Sequence, residues 1–344
     1  MEKYLDYIIK SIVDLTNIPS PSGYAMKAVK YIEESIKNSG INYRITNKGA
    51  LIATIEGNDN KNQRTISAHV DTLGAMVKSI KENGRISFDK IGGFILNSIE
   101  GENCIIETCE GKRFSGTILT VKPSVHIHGD AGQIERKIEN MEIIIDEKVK
   151  CKEDIEKLGI NVGDFIFFDT RTIVTESGFI KSRHLDDKAS AGIILGVIKY
   201  IIENNISLPY TTNFFFSNYE EVGHGAASSI PENTVEFIAV DMGAPGEGQN
   251  SSEYAACICA KDSHGPYDYE LRKKLVNICI QNNIDYKVDI YPHYGSDAST
   301  ALSSGYDLKT GLIGPGVFAS HSYERTHKDA ILNTSKLLLC YILS

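Results

Sequence analysis

The chain has 344 residues, 42% hydrophobic and 24% charged, with 36 Lys+Arg against 45 Asp+Glu and a formal net charge of −9. That composition is globular, and its negative balance argues against non-specific binding to nucleic acid or anionic membrane. No run approaches the ~20 apolar residues of a spanning helix, and the N-terminus mixes charges among its apolar residues, unlike a signal peptide. In chain order, Tyr4, Ile8, Ile12 and Leu15 recur near the helical period, and Ala25, Val29, Ile32 and Ile36 repeat it over 24–38 after an Ile-Pro-Ser-Pro-Ser-Gly turn. Strands are expected at 42–47, 50–56 and 64–69. From 74 to 170, short β runs at 86–88, 105–108, 116–121, 142–145 and Phe165–Phe168 are separated by Gly, Asn and Lys turns, with one short helix at 152–158. A long apolar helix then covers 188–202, followed by strands at 212–217, 235–240 and 255–260, a helix at 267–282, the strand Tyr286–Ile290 and a C-terminal helix over 331–342.

Helix–strand alternation on both sides of the β-rich stretch implies an α/β fold, a mainly parallel sheet with helices on both faces. One domain, built from residues 1–73 and 171–344, is thus expected to be interrupted by a small β-barrel-like insert at 74–170. Exposed edges or faces of such an insert invite self-association, so an oligomer is expected. The seven cysteines are odd in number and form no C-x-x-C pair, as for reduced thiols in a cytoplasmic protein.

Open α/β sheets gather ligands outside the carboxyl ends of their strands. At those ends stand His69 and Asp71 (His-Val-Asp-Thr), Glu220 and Glu221 (Glu-Glu-Val-Gly), and Asp241 (Val-Asp-Met-Gly). Asp186 and Asp187 precede the long helix, and His321 lies near the C-terminus in Ala-Ser-His-Ser-Tyr-Glu. Singly, each has a plain structural explanation: a solvated strand end, a helix N-cap, an Asx turn. Jointly they form the imidazole and carboxylate set that borderline divalent metals take. Residues i and i+2 of a strand share a side, so Asp71 can reach His69 and fix its tautomer. Adjacent Glu220 and Glu221 diverge, so one can ligate while the other faces a substrate water. A carboxylate can also bridge two metals about 3.5–4 Å apart.

In order and in type, these five motifs resemble the M42 family of dinuclear metallo-aminopeptidases, which includes glutamyl aminopeptidases and TET-type peptidases; some relatives are labelled endoglucanases. The resemblance covers essentially the whole chain, inserted β domain included. It implies hydrolysis of N-terminal residues from peptides with two divalent ions (Zn, Co or Mn). His69, Asp186 and Asp241 would hold one ion, and Asp186, Glu221 and His321 the other. Glu220 would be the general base and Asp71 would orient His69. Asp186 is taken over Asp187 as the bridge by motif position. The resemblance also implies assembly through the insert, from dimers up to hollow dodecamers. Lys188 and Ser190 stand where the family commonly has Arg and Gly, and His224-Gly-Ala replaces a longer segment; no ligand position is lost. Rival readings are an N-acyl amino acid deacylase or amidohydrolase using the same metal pair, and a metal-free binding scaffold. His126 and His128 share a strand face in the insert and are expected to be structural. Gly92-Gly93 and Gly295-Ser-Asp297 read as loops, with Asp297 a secondary candidate near the site. Cys257 and Cys259 alternate as packing residues.

Overall fold

A computed structural model describes residues 1–344 as two compact units, Met1–Thr72 with Arg171–Ser344, and Leu73–Thr170. In the larger unit, α1 (Leu5–Thr16) and α2 (Met26–Ile36) precede β1 (Asn42–Ile45), β2 (Leu51–Ile55) and β3 (Gly57–His69). The smaller unit contains β4 (Gly74–Ile80), β5 (Ile86–Ile91), β6 (Asn103–Glu107), β7 (Arg113–Thr120), β8 (Met141–Ile145), α3 (Lys152–Leu158) and β9 (Phe165–Phe168). The larger unit resumes with β10 (Ile173–Val174), β11 (Phe179–Ser182), α4 (Leu185–Glu203), β12 (Leu208–Ser217), β13 (Thr234–Val240) and β14 (Ala256–Lys261). It ends with α5 (Tyr269–Gln281), β15 (Tyr286–Ile290), α6 (Asp297–Ser303), β16 (Lys309–Pro315), β17 (Glu324–His327) and α7 (Lys328–Ile342).

The smaller unit is a closed barrel, β4-β5-β8-β7-β6-β9, filled by Val77, Ile86, Phe88, Ile106, Ile118, Ile143 and Ile166. Closure removes strand edges, and inward residues alternate along each strand.

The larger unit has an eight-stranded sheet ordered β1-β2-β12-β3-β13-β16-β14-β15. β3 lies parallel between β12 and β13, and the pairs β13/β16 and β14/β15 are also parallel. Alternation sorts the side chains: Ile66, Ala68, Phe214, Phe216, Ile238 and Val240 join one core, while Phe215, Phe237 and Ala239 join another. The first core is covered by α1, α2, α4, α5 and α7; the second meets only α6 and irregular loops. The helical cover is thus uneven rather than equal on the two faces, and the thinly covered face is where loops can turn polar side chains inward.

α4 is apolar around nearly its whole circumference because it lies between the sheet and α1. Gly192 and Gly196 allow that contact: an added Cβ would lie 2.6 Å from Ile12 Cγ1 and 2.2 Å from Ile8 Cγ1, respectively. No helix is long and apolar enough to cross a membrane.

Candidate active site

Parallel pairing brings the carboxyl ends of three strands side by side. His69 on β3 is in register with Ser217 on β12, and Ala239 on β13 with Ser67 on β3. The residues just beyond, Asp71, Glu220, Glu221 and Asp241, therefore emerge at one rim. Asp186 and Asp187 arrive at the start of α4, where their backbone is not yet helical and their shared peptide bond is cis. β11 and β17, antiparallel with Ser182 opposite Glu324, bring in the segment carrying His321. Four non-glycine residues beside these groups have positive φ: His184 (66°), Tyr219 (70°), Ala319 (58°) and His321 (63°). Such backbone is disfavoured for L residues and concentrates at functional sites.

Asp186 sits at the centre. Its Oδ1 is 3.2 Å from His69 Nε2, and its Oδ2 is 3.4 Å from His321 Nε2. His321 Nε2 is also 3.4 Å from Glu221 Oε2, and His69 Nε2 is 3.7 Å from Glu220 Oε2. The ligand atoms of His69, Asp186 and Glu221 lie within 4.8 Å of one another, as do those of His69, Asp187 and Asp241. All seven residues singled out from the sequence thus meet at this rim, and Asp187 joins them on the side of Asp241.

Asp71 acts by a route that strand spacing did not suggest. β3 ends at His69, and the ring Nδ1 is 2.9 Å from the backbone carbonyl of Asp71, with the carboxylate farther off at 3.8 Å. That carboxylate instead accepts the amides of Glu220 (3.1 Å) and Glu221 (3.3 Å) and the hydroxyl of Ser22. Asp71 therefore also fixes the turn that carries both glutamates.

Three further acids or bases shape the site. Glu324 accepts the amides of Asp186 (3.1 Å) and His321 (3.0 Å), locking the two together. Asp297 is buried and accepts hydroxyls from Ser67 and Ser217, each at 2.5 Å, and the amide of Ala226 at 2.8 Å. It ties β3, β12 and the loop after Glu220 to α6. Lys188, wholly buried, donates to Ser20 Oγ at 2.6 Å, and burial lowers its pKa to about 7. The sequence signalled Glu324 only as a neighbour of His321. Tyr294, which lines the site and donates to the Met242 carbonyl at 2.9 Å, carried no signal at all.

Electrostatically the cluster is crowded with negative charge. Burial pushes Glu221 up to about 8, and burial together with the charge of Asp186 pushes Asp241 up to about 7. Glu220 and Asp187 are raised well above the carboxylate range, burial first and Asp241 next among the raising causes. Burial opposes charge on His321, yet the hydrogen bond to Asp186 and the charge of Glu221 outweigh it and raise its pKa to about 10. Asp187 Oδ1 and Glu221 Oε1 are buried without a hydrogen-bond partner. Buried carboxylates with orphaned oxygens, converging on imidazoles, are a donor set that divalent cations satisfy. A cavity of about 700 Å³ opens onto Asp186, Glu220, Glu221, Asp241 and His321.

Other candidates stay apart. His126 and His128 belong to the smaller unit and join neither converging group. Cys257 and Cys259 are buried on β14, and burial raises both thiols.

The chain is a hydrolase of the peptidase class, as the family it matches and its aminopeptidase-named relatives show. The sequence model described as M42 glutamyl aminopeptidase matches residues 49–337, and the chain belongs to this family. It is 55% identical over 333 residues to "Putative aminopeptidase YhfE" of Bacillus subtilis (strain 168), covering 97% of this chain and 96% of the relative. It is 26% identical over 231 residues to the glutamyl aminopeptidase of Lactococcus lactis subsp. cremoris (strain MG1363), covering 66% and 64%. Among solved structures, the TET aminopeptidase of the marine sediment archaeon Thaumarchaeota archaeon SCGC AB-539-E09 superposes with a TM-score of 0.89 at 19% identity, over 98% of this chain and 96% of that one. The dodecameric PhTET1-12s superposes at 0.84 and 23% identity, over 98% and 99%. At these identities the solved structures speak for the fold.

Proposed function

We propose that the chain removes N-terminal residues from peptides with two divalent cations (Zn, Co or Mn) held at this cluster and Glu220 as general base. The observation that carries the reading is the placement of Asp186, with one carboxylate oxygen toward His69 and the other toward His321. One carboxylate facing two imidazoles in this way is suited to bridge. His69, Asp186 and Asp241 then hold one cation, and Asp186, Glu221 and His321 the other. Asp187, whose ligand atom converges with those of His69 and Asp241, also accepts the His69 amide through Oδ2 at 3.2 Å.

When bound, such a pair lowers the pKa of a shared water and polarises the scissile carbonyl. The chain's own groups do the rest. Asp71 accepts Nδ1–H of His69 through its carbonyl, which leaves Nε2 free to ligate. Glu220 Oε2 takes the proton of the attacking water and delivers it to the leaving amine, a base-then-acid role. Its amide, pinned by Asp71, keeps the carboxylate at the cavity floor. A free α-amino group is drawn to the same carboxylate-rich floor, which favours cleavage at the peptide N-terminus.

Adjacent Glu220 and Glu221 do not suit glycoside hydrolysis, which needs carboxylates straddling the bond at ~5–9.5 Å. The Thermotoga maritima neighbour named endoglucanase, at 20% identity, carries no weight against this. We further assign catalysis to residues 1–73 with 171–344, and self-association to the barrel segment 74–170. A homo-oligomer of dimer to dodecamer size is supported by the dodecamer of the structural neighbour PhTET1-12s. Seven free cysteines suit a cytoplasmic protein.

The test is hydrolysis of aminoacyl anilides by metal-analysed protein, with and without chelator, beside the N-acetylated compounds. Cleavage of free-amine substrates only, lost on chelation, is expected. Cleavage of blocked substrates only would mean a deacylase. No bound metal, and no activity with Co²⁺, Mn²⁺ or Zn²⁺, would mean a binding scaffold.

A further inference from the structure

The cavity beside the cluster also bears on which N-terminal side chain it accepts. Apart from Asp186, Glu220, Glu221 and Asp241, no Asp, Glu, Lys or Arg lines it. Its remaining wall combines Met242, Ala244, Tyr291, Pro292 and Tyr294 with serines and a threonine from the α6 side. Tyr291 and Tyr294 pack against each other with ring centroids 5.1 Å apart and planes tilted by 40°, which makes part of the wall aromatic.

Four polar side chains of that wall are already engaged with the protein. Tyr294 Oη donates to the Met242 carbonyl at 2.9 Å, and Gln249 Nε2 to the Ile290 carbonyl at 3.0 Å. Ser303 Oγ donates to the Ser299 carbonyl at 3.0 Å, and Ser296 Oγ is shared between Tyr267 Oη and the Ser299 amide. A substrate carboxylate entering here meets no Lys or Arg side chain to pair with. Burying it unpaired is costly.

From this we infer that the pocket selects uncharged N-terminal residues, large aliphatic or aromatic, and rejects acidic ones, although the family model is described as glutamyl. The inference rests on the aminopeptidase reading above. A Leu, Met or Phe side chain loses no solvation by packing on Tyr294 and Met242 and releases water from apolar surface. A Lys side chain has no carboxylate beyond the floor to pair with. Three exposed histidines, His224, His264 and His293, are the only other bases in the lining.

The experiment measures kcat/KM for Leu-, Met-, Phe-, Glu-, Asp- and Lys-p-nitroanilide on the metal-loaded full chain at pH 8. Leu, Met and Phe should exceed Glu and Asp by at least about tenfold. Thr300→Arg, which adds a cation to the cavity wall away from the cluster, should raise the Glu/Leu ratio. First rank for Glu, Asp or Lys overturns the inference and leaves the aminopeptidase reading standing. An unchanged Glu/Leu ratio in Thr300→Arg, with metal content and Leu turnover retained, also counts against it. Turnover of none of the free-amine compounds, beside cleavage of N-acetyl-Leu-anilide, overturns both.

Discussion

The barrel and the rim of the large sheet bury acidic groups in opposite ways. In the barrel, Glu142 meets Lys81 Nζ at 2.9 Å, and Asp164 accepts the amides of Asn161 (2.7 Å) and Cys109 (3.2 Å). Around them the interior is aliphatic and aromatic. At the sheet rim, buried carboxylates crowd one another, raise one another's pKa values and leave oxygens without partners. The lesson is that the barrel's acids are satisfied by the fold, whereas those at the rim call for positive charge from outside it. Buried like charges are kept only where something repays their desolvation.

Substitutions can break that comparison, and the largest effect is expected at the rim. Glu220→Gln should cut turnover by about 10²–10⁴-fold while retaining bound metal; near-normal turnover would overturn the base assignment. In the barrel the effect should fall on stability alone. Ile118→Ala, at a fully buried position, should cost about 2–5 kcal/mol in denaturant unfolding, with kcat/KM and metal content of the folded fraction unchanged. Gly196→Ala sharpens the picture of the helical face, because the new Cβ displaces Ile8. Overpacking minus the gain in helix propensity predicts a loss of about 1–2 kcal/mol by thermal melting. Smallest is Asp268→Ala, which removes the N-cap acceptor for Leu271 N–H at the start of α5. About 1 kcal/mol is expected, without effect on activity.

Much of this contrast was legible in the sequence, because periodicity and strand-end chemistry are local signals. Strands at 212–217 and 235–240, and the helix at 152–158, lie within or match β12, β13 and α3. The motifs themselves named the residues that meet at the rim. Less local features were not readable. β3 begins at Gly57 rather than 64, since its polar first half pairs at the sheet's margin without an apolar pattern. No element is expected from the sequence over α6 (Asp297–Ser303). Its start is fixed by a capping box between Ser296 and Ser299, a weaker signal than the usual Ser/Thr with Glu. The thin cover of one sheet face depends on which connections cross where, and alternation alone does not record that. Glu324 locks Asp186 to His321 only because β17 pairs with β11; no spacing along the chain announces it. Asp71 likewise serves through backbone amides 149 and 150 positions away.

The central claim is that Asp186 joins two cation sites, one on the His69 side and one on the His321 side. It is tested most directly by metal analysis of chelator-stripped protein reloaded with Mn²⁺, Co²⁺ or Zn²⁺. Two ions per chain are expected in the parent, one in His321→Ala, and loss of both from tight binding in Asp186→Asn. Retention of two tightly bound ions by Asp186→Asn would contradict it.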